Sequence, residues 1–414
     1  GYKTGNIPPA AGWRAFSVND VWGSGKDGHA WFRFDINVPA DWQGKAVALS
    51  VATACTGWDE FNPQLLCYVD GRMRQGMDAN HRTVRIEAGK DRHIALYAYT
   101  GYESYIFKGL PDVVRQMQFF AEFVLIDTET EALFFDMEVP FSVLSYTDPE
   151  SREYAGILDA LNDCANLLDL RTPHSAAYEE SVRKAREYIR KNYYEKNEDA
   201  DFPTLTCIGQ THIDTAWVWP MRQTREKVQR SFSTALELMR LYPEYRFFAS
   251  QPKQYQMLKE DAPEVYEELK KRVREGRWET GGAMWVEADC NLIGGESFVR
   301  QILHGKHFFK EEFGTDGKVL WLPDVFGYAA SMPQILKLCG IDTFVTSKIS
   351  WNDTNRMPFD LFSWKGIDGT EILSFFITGQ EKTRGETVNY SVYNAPADAP
   401  NAAGTYARFG QKNL

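Results

Sequence analysis

The first third of the chain alternates apolar and polar residues in short runs separated by Gly, Asp and Pro. Because a strand sends successive side chains to opposite faces, this alternation predicts β-strands. Regular strand spacing with such turns favours an antiparallel β-sandwich over residues 1–147, and Asp70-Gly71 has the residue types of a hairpin turn. The predicted strands are residues 29–38, 46–52, 65–69, 83–86, 93–99, 119–126 and 133–139.

The pattern changes to a helical period after Asp148. Residues 152–170 and 176–193 place apolar side chains three and four positions apart, which is typical of amphipathic helices. We therefore expect residues 148–203 to form a helical bridge that ends in the polar, acidic stretch 197–203.

From residue 204 to residue 414, predicted strands and helices alternate. This order predicts a parallel α/β sheet, either open or closed into a barrel. In both architectures ligands gather where the strands end at their carboxyl side. The predicted strands are 205–209, 246–250, 284–287, 318–322, 343–346 and 371–377, and the predicted helices are 227–241, 262–274, 295–313 and 331–338.

Polar side chains follow five of these strands in succession. A single acidic strand end is commonly only a helix cap or a turn residue, but the repetition favours a site at one rim of the sheet. The residues are His212 and Asp214, Gln251, Glu287 and Asp289, Asp324, and Lys348 with Trp351 and Asn352.

His212 and Asp214 are the strongest candidates for metal ligands. Separated by one residue, they can point the same way from a strand, and an imidazole beside a carboxylate suits zinc. Trp217 and Trp219 follow and are suited to stacking on sugar rings. The alternative is a strand that ends in two unrelated polar residues beside a Trp-rich turn, because a two-ligand motif is weak evidence alone.

A second histidine pair lies one helical turn apart at His304 and His307. That spacing is compatible with shared ligation. The segment is flanked by Lys and Glu, however, so a solvated helical face is the favoured interpretation. We interpret the other histidines as structural: His29, His81, His93 and His174.

Size and composition narrow the class of protein. A chain of 414 residues predicts two or three domains. A net charge of −11 without a basic stripe argues against nucleic acid or an anionic membrane as partner. Six scattered Cys favour free thiols in a reducing, cytoplasmic setting. The aromatic share of 14% fits a carbohydrate-active protein and a large sandwich core equally well.

Metal ligands, further carboxylates and Trp side chains together indicate hydrolysis of a polyhydroxylated substrate. A retaining glycosidase needs one carboxylate as nucleophile and a second as acid/base, and a metal can polarise substrate hydroxyls. Two alternatives stay open at this point. One is a metal-dependent carbohydrate deacetylase, and the other is a non-catalytic sugar-binding protein.

Three blocks of sequence resemble the class II α-mannosidases, glycoside hydrolase family 38. They are Gly209-Gln-Thr-His-Ile-Asp-Thr-Ala-Trp-Val-Trp-Pro220, Trp285-Val-Glu-Ala-Asp-Cys-Asn291 and Trp321-Leu-Pro-Asp-Val-Phe-Gly327. Ser347-Lys-Ile-Ser-Trp-Asn352 and Phe362-Ser-Trp-Lys-Gly366 fit the same family, and residues 25–34 resemble the N-terminal β domain of its cytosolic and bacterial branch.

The resemblance implies a seven-stranded α/β barrel that holds one zinc ion and hydrolyses terminal α-mannosides with retention. It implies His212, Asp214 and Asp324 as zinc ligands, with Asp324 also the catalytic nucleophile that forms a covalent mannosyl-enzyme. Trp217 would stack under the sugar, Phe326 would line the pocket, and Asp289 would hold sugar hydroxyls. The implied partners are α-mannoside oligosaccharides, and assembly into a homo-oligomer is left open.

The sequence also departs from the family pattern. Gln210 stands where the family usually has His, in a position that supports the ligands, so zinc affinity can be altered. The family's acid/base carboxylate and its fourth zinc ligand, a His, are expected beyond Leu414. The sequence therefore predicts a partial catalytic domain that hydrolyses α-mannosides poorly or not at all.

Overall fold

The structure is a computed structural model, and it divides the chain into two compact units. The first comprises Gly1–Leu125 with Ile208–Ile377, and the second comprises Ile126–Cys207 with Thr378–Leu414. The predicted boundaries at 147 and 203 differ from this grouping, and the division into three domains stays a prediction. The structure describes residues 7–8, 12–17, 20–23, 28–52, 64–78, 81–89, 91–99, 118–145, 147–198, 207–217, 219–348, 359–377, 381–383 and 386–388.

The first unit begins with two sheets. One has four strands in the order β1-β6-β3-β4, all antiparallel, and the other has three in the order β5-β2-β7. Asp70 and Gly71, both with positive φ, form the predicted turn between β3 and β4. The strands are β1 (His29–Asn37), β2 (Ala46–Ala52), β3 (Gln64–Val69), β4 (Arg72–Met77), β5 (Thr83–Ile86), β6 (Asp91–Tyr99) and β7 (Phe120–Ile126).

Alternate residues of both sheets meet in one hydrophobic cluster. Leu65, Cys67, Ile94 and Leu96 from the four-stranded sheet share it with Val47, Leu49 and Val84 from the other. The opposite face of the four-stranded sheet is also apolar, because Leu66, Tyr68 and Tyr97 belong to a second cluster with residues of a later helix. Both faces of this sheet are therefore covered within the unit.

The second unit contains three helices, α1 (Thr128–Leu144), α2 (Arg152–Asn166) and α3 (Ala176–Ile189). Their N-caps are Asp127, Ser151 and Ser175, each accepting a backbone N–H from the first turn. The strand predicted at residues 133–139 is wrong, because this segment lies inside α1. Its Phe and Val residues have strand propensity, but the Asp127 cap and the acidic first turn start a helix that continues through Pro140.

The α/β part of the first unit forms two more sheets. One is parallel with order β10-β9-β8; the other has parallel strands β11-β12-β14 with β13 antiparallel at its edge. The elements are β8 (Gly209–Gln210), α4 (Met221–Leu241), β9 (Phe247–Ala249), α5 (Pro252–Asp261), α6 (Pro263–Arg274), β10 (Trp278–Thr280), α7 (Gly295–Phe313), β11 (Val319–Leu322), α8 (Met332–Leu338), β12 (Thr343–Thr346), β13 (Leu361–Lys365) and β14 (Glu371–Phe376). In the second unit, β15 (Glu381–Thr383) and β16 (Glu386–Val388) pair antiparallel.

The strand predicted at residues 205–209 lies partly outside the described residues, and the structure has β8 at Gly209–Gln210 instead. A second α/β strand lies elsewhere than predicted. The sequence predicts residues 284–287, whereas the third strand is Trp278–Thr280, parallel to β9 through the pair Trp278↔Phe247. Gly282 and Ala283 have positive φ and end the extended segment, so residues 284–287 form a loop. The loop still brings Glu287 to the rim where the strands end.

The antiparallel sheet β1-β6-β3-β4 and helix α4 approach closely at Gly76. A Cβ atom built there would lie 2.8 Å from Arg230 Cβ, and the Gly76 N–H donates to Thr234 Oγ1 at 3.1 Å. Only glycine permits this spacing. None of the helices in the described part of the chain has the length and apolar character needed to cross a bilayer.

Candidate active site

His212, Asp214 and Asp324 converge at the rim of the α/β sheets. Each offers a ligand atom within 4.8 Å of the others. His212 Nε2 lies 3.4 Å from Asp214 Oδ1 and 3.3 Å from Asp324 Oδ2, so one nitrogen faces two carboxylates. Within the residues that the structure describes, this is the one group of three potential ligands found.

The other nitrogen of the His212 ring faces a carboxylate that the sequence placed only at a strand end. His212 Nδ1 lies 3.3 Å from Glu287 Oε2, and the Glu287 side chain is 7% exposed. Ser250 Oγ donates to Glu287 Oε1 at 2.6 Å, and the Glu287 N–H donates to Gln251 Oε1 at 3.3 Å. Such a carboxylate–histidine pair fixes the orientation of a metal-binding imidazole.

Asp324 has a second partner from the neighbouring strand. Lys348 Nζ lies 2.6 Å from Asp324 Oδ1, and the two side chains are 8% and 22% exposed. Lys348 Nζ also lies 5.2 Å from the centroid of the Phe326 ring. One oxygen of the Asp324 carboxylate therefore faces His212 while the other is held by a buried ammonium group.

The backbone of the ligand segment is fixed by buried side-chain amides. Ile213 is 4% exposed, and its carbonyl accepts from Gln251 Nε2 at 3.0 Å and from Gln254 Nε2 at 2.7 Å. One residue later, the Asp214 carbonyl accepts from Thr224 Oγ1 at 3.2 Å. The Ile213 side chain enters the core, and its neighbours His212 and Asp214, in the segment that follows β8, turn toward the rim.

The charges of the cluster shift three pKa values. Burial alone would lower the pKa of His212, but the hydrogen bonds to Asp214 and Asp324 and the charge of Glu287 raise it to about 10. Burial raises the pKa of Glu287 to about 7, against the opposing effect of His212. Burial opposes ionisation of Asp324, yet His212 and Lys348 together lower the pKa of its carboxyl.

The chemistry of this donor set fits a divalent cation. Imidazole nitrogen and carboxylate oxygen are both ligand types that zinc binds, and the Glu287 carboxylate behind His212 can support that ligand. The same three carboxylates explain the high pKa of His212, because they stabilise the positively charged form of its ring. A bound cation would supply that charge in place of the proton.

The two predicted aromatic contacts lie at the surface. Trp217 is 57% exposed and Phe326 is 63% exposed. Trp217 packs edge-to-face against Trp219, with ring centroids 5.4 Å apart. Exposed indole and phenyl faces beside the ligand cluster are suited to the apolar faces of a sugar ring.

The other predicted residues have mixed outcomes. Asp289 is half-buried, and its Oδ1 accepts the Asn291 N–H at 2.8 Å, so it serves its own turn and stands outside the ligand group. His304 and His307 lie exposed on α7, where His307 pairs with Glu311 at 3.0 Å, as expected for a solvated face. The strand-end residues Trp351 and Asn352 lie outside the described residues.

Sequence reasoning did not assign roles to Glu287 and Lys348. Both stand at predicted strand ends. Spacing alone does not show that Glu287 contacts the His212 ring or that Lys348 contacts the Asp324 carboxylate. The available signal was their position: each belongs to a segment that follows a strand and reaches the rim where His212 and Asp324 lie.

Comparison with known proteins gives a consistent result. Residues 203–413 match the model of a family described as glycosyl hydrolases family 38, N-terminal domain. Alpha-mannosidase G of Dictyostelium discoideum is 33% identical over 358 residues, covering 84% of this chain and 32% of that protein. An alpha-mannosidase of Saccharomyces cerevisiae is 42% identical over 214 residues, covering 49% of this chain and 20% of that protein.

Among solved structures, an alpha-mannosidase from Enterococcus faecalis V583 is similar, with a TM-score of 0.40 and 22% identity. The similarity covers 50% of this chain and 22% of that one. The chain spans about a third of the length of the Dictyostelium relative.

Proposed function

The chain belongs to the family 38 glycosyl hydrolases, and on that premise we propose that its site serves zinc-dependent hydrolysis of terminal α-D-mannosides with retention of configuration. The observation that carries the proposal is the position of Asp324. Its carboxylate lies between His212, a metal-type ligand, and Lys348, a buried cation. The names of the relatives, all alpha-mannosidases, support the substrate class.

His212, Asp214 and Asp324 would hold the zinc ion. A zinc ion held there would supply Lewis-acid attraction for sugar hydroxyls. Trp217 and Phe326 then stack against the apolar parts of the sugar ring, and Asp289 accepts hydrogen bonds from hydroxyls at its edge. Glu287 keeps the His212 ring in one orientation throughout.

Asp324 performs the first chemical step. Its ionised carboxylate attacks the anomeric carbon, so a carbon–oxygen bond to Asp324 forms while the glycosidic bond breaks. The leaving oxygen takes a proton from a general acid, a role that we assign to none of the described residues. Water then adds to the same carbon and releases Asp324, and the two inversions give retention.

Lys348 keeps Asp324 in the reactive form. Because the ammonium group contacts Oδ1, it lowers the pKa of the carboxyl and favours the ionised nucleophile. It also fixes the plane of the carboxylate, so that the other oxygen faces the ligand side. Preorganised charge of this kind costs no rearrangement when the reaction occurs.

The proposal extends to the finer architecture. The hydrophobic cluster shared by the two antiparallel sheets supports a β-sandwich. The parallel sheets β10-β9-β8 and β11-β12-β14 both send residues to one cluster of ligands, which supports their belonging to one α/β barrel.

Two measurements on this chain test the proposal. Zinc content after dialysis should approach one ion per chain and should fall in His212→Asn, with His307→Asn as the control because that histidine is exposed on α7.

A slowly reacting mannosyl fluoride should add one mannosyl mass to the wild-type protein at Asp324 and none to Asp324→Asn. Release of acetate from an acetylated sugar without glycosidic cleavage would instead identify a deacetylase, and mannoside binding unchanged in Asp324→Asn without labelling would identify a binding protein.

A further inference from the structure

A cavity of about 350 Å³ lies between the antiparallel sheet β1-β6-β3-β4 and helix α4. Gln64, Asp78 and His81 line it from the sheet side, and Lys227 and Arg230 line it from α4. It borders the candidate active site, because Thr211, His212 and Trp219 form part of its wall. None of the roles proposed above uses this space.

The lining combines one indole with several polar side chains. Trp219 contributes an indole, and Lys227 Nζ lies 4.4 Å above the centroid of its ring. Ser231 and Thr234 add hydroxyl groups from α4. Small ligands are typically held by an aromatic face with a few converging polar groups, in cavities of roughly 300–1,000 Å³. At the small end of that range, the cavity suits one ring better than a chain of rings.

The charges around the cavity favour a neutral ligand over an anion. Lys227 and Arg230 are cationic, but Asp78 carries a carboxylate at the same wall, and Glu226 Oε2 lies 3.9 Å from Arg230 Nη1. Arg230 also donates to Gln64 Oε1. Because the cations are largely compensated, a phosphate or carboxylate finds little net attraction. A polyol, which both donates and accepts hydrogen bonds, matches this mixture.

Asp78 and His81 indicate how a ligand reaches the cavity. Their side chains pair at 3.1 Å and are 42% and 40% exposed, whereas Arg230 is 10% exposed. The open side therefore belongs to the N-terminal sheet, and the deeper wall belongs to α4. Trp219 joins this cavity to the exposed Trp217 through their edge-to-face contact.

We propose that the cavity is a second sugar subsite, which binds one neutral pyranose unit of an oligosaccharide and to which the N-terminal sheet contributes directly. The choice of a mannoside as the ligand rests on the proposed function, whereas the existence of a polyol site does not. The sheet would then help to select substrates, in addition to covering α4.

Titration of the zinc-chelated protein with α-mannobiose tests the subsite. Chelation removes the sugar-binding role of the metal site, so the remaining binding reports the cavity. Calorimetry is expected to detect this binding in the wild-type chain and to show it weakened at least about tenfold, or about 1.4 kcal/mol, by Lys227→Met and by Ser231→Leu. The first removes a polar partner, and the second fills the space.

Lys253→Met is the matched control, because Lys253 also lies over an indole, at 5.9 Å from the centroid of Trp285, but outside the cavity. It should bind α-mannobiose like the wild type. Absence of binding to the chelated wild type, or equal binding in Ser231→Leu, overturns the proposal. Zinc content is measured on the same samples, so a failure of the hydrolase proposal appears as an empty metal site and leaves the titration of the cavity decisive.

Discussion

Asp324 and Lys348 occupy equivalent positions at the ends of two neighbouring parallel strands. Leu322 pairs with Thr346 in register, and each site residue lies two positions further along (322 + 2 and 346 + 2). Their 2.6 Å contact is therefore a consequence of the strand register. Ser347 Oγ, which donates to the Pro323 carbonyl at 2.5 Å, extends the same correspondence one position earlier. The sheet itself thus places the Asp324 carboxylate beside the Lys348 ammonium group.

Lys348→Met should destabilise the metal-free protein. The substitution leaves the Asp324 carboxylate partly buried without its ammonium partner, and breaking a buried pair in this way costs about 3 kcal/mol. Urea unfolding in the presence of a chelator measures the loss. Lys337→Met is the control, since Lys337 pairs with Asp342 on the surface at 3.3 Å and should cost less than about 1 kcal/mol. Equal losses in the two variants would contradict a special role for Lys348.

Glu287→Gln should weaken zinc binding without removing a ligand. The neutral amide cannot stabilise the His212 ring as the carboxylate does, and loss of such a supporting partner typically lowers metal affinity about 10- to 100-fold. Competition with a chromophoric chelator measures the affinity. The control is Glu279→Gln, which changes an exposed glutamate on β10. An unchanged affinity in Glu287→Gln would remove Glu287 from the site.

Gly76→Ala should loosen the packing of the antiparallel sheet β1-β6-β3-β4 on α4. The added Cβ meets Arg230 main-chain and Cβ atoms at 2.8–3.0 Å, and overpacking of this kind costs about 1–3 kcal/mol. Thermal unfolding should show a lower midpoint than the wild type. Gly295→Ala is the control, because a Cβ at Gly295 meets nothing within 4 Å. A midpoint unchanged by Gly76→Ala would show that the contact can relax freely.

Lys227 gives a pH-dependent prediction. Burial, and then the charge of Arg230, lower its pKa from 10.5 to about 8. Between these values the unfolded chain binds more protons at this position than the folded chain, so the contribution of Lys227 to stability rises with pH. The unfolding free energy of the wild type relative to Lys227→Met should therefore increase from pH 8 to pH 10.5, by on the order of 1–2 kcal/mol.

Denaturant titrations at the two pH values measure this difference for Lys227→Met and for Lys253→Met. The second variant also removes a lysine that lies over an indole. If both variants show the same trend, the effect belongs to the loss of any lysine rather than to the buried position of Lys227.

Elements with a strong local pattern were predicted well. Helix α7 and strand β12 have the bounds that the sequence predicted, and the turn at Asp70 and Gly71 is confirmed. Family membership is confirmed as well. In each case the deciding information is local, in the form of helical spacing, a short apolar run, or residues that tolerate positive φ.

Elements that depend on a cap or on distant pairing were not predicted. Residues 133–139 look like a strand because Phe and Val dominate, and only the cap at Asp127 shows that they are helical. The third α/β strand lies at Trp278–Thr280 because Trp278 is buried beside Phe247, a contact far apart in the sequence. Zinc, the sugar contacts and the cytoplasmic location stay predictions.

In the candidate site, too, some residues could be identified from local sequence and others only from contacts in the fold. His212, Asp214 and Asp324 were chosen from strand ends and motifs, and the structure brings them together. Glu287 and Lys348 became visible only through their contacts with His212 and Asp324, because burial and orientation are properties of the fold. A strand end identifies the rim, but three-dimensional packing decides which side chain meets which.

Ile213, buried between His212 and Asp214, determines which side chains of this segment point into the core and which point toward the rim. Its own side chain lies in the core while its carbonyl is held by Gln251 and Gln254. Insertion or deletion of a single residue here would exchange inward and outward positions, so that a carboxylate would enter apolar surroundings and a hydrophobic group would face the rim. Protein engineering can vary the identity of residue 213 among apolar types, but the count of one residue between His212 and Asp214 is fixed by the geometry of the chain.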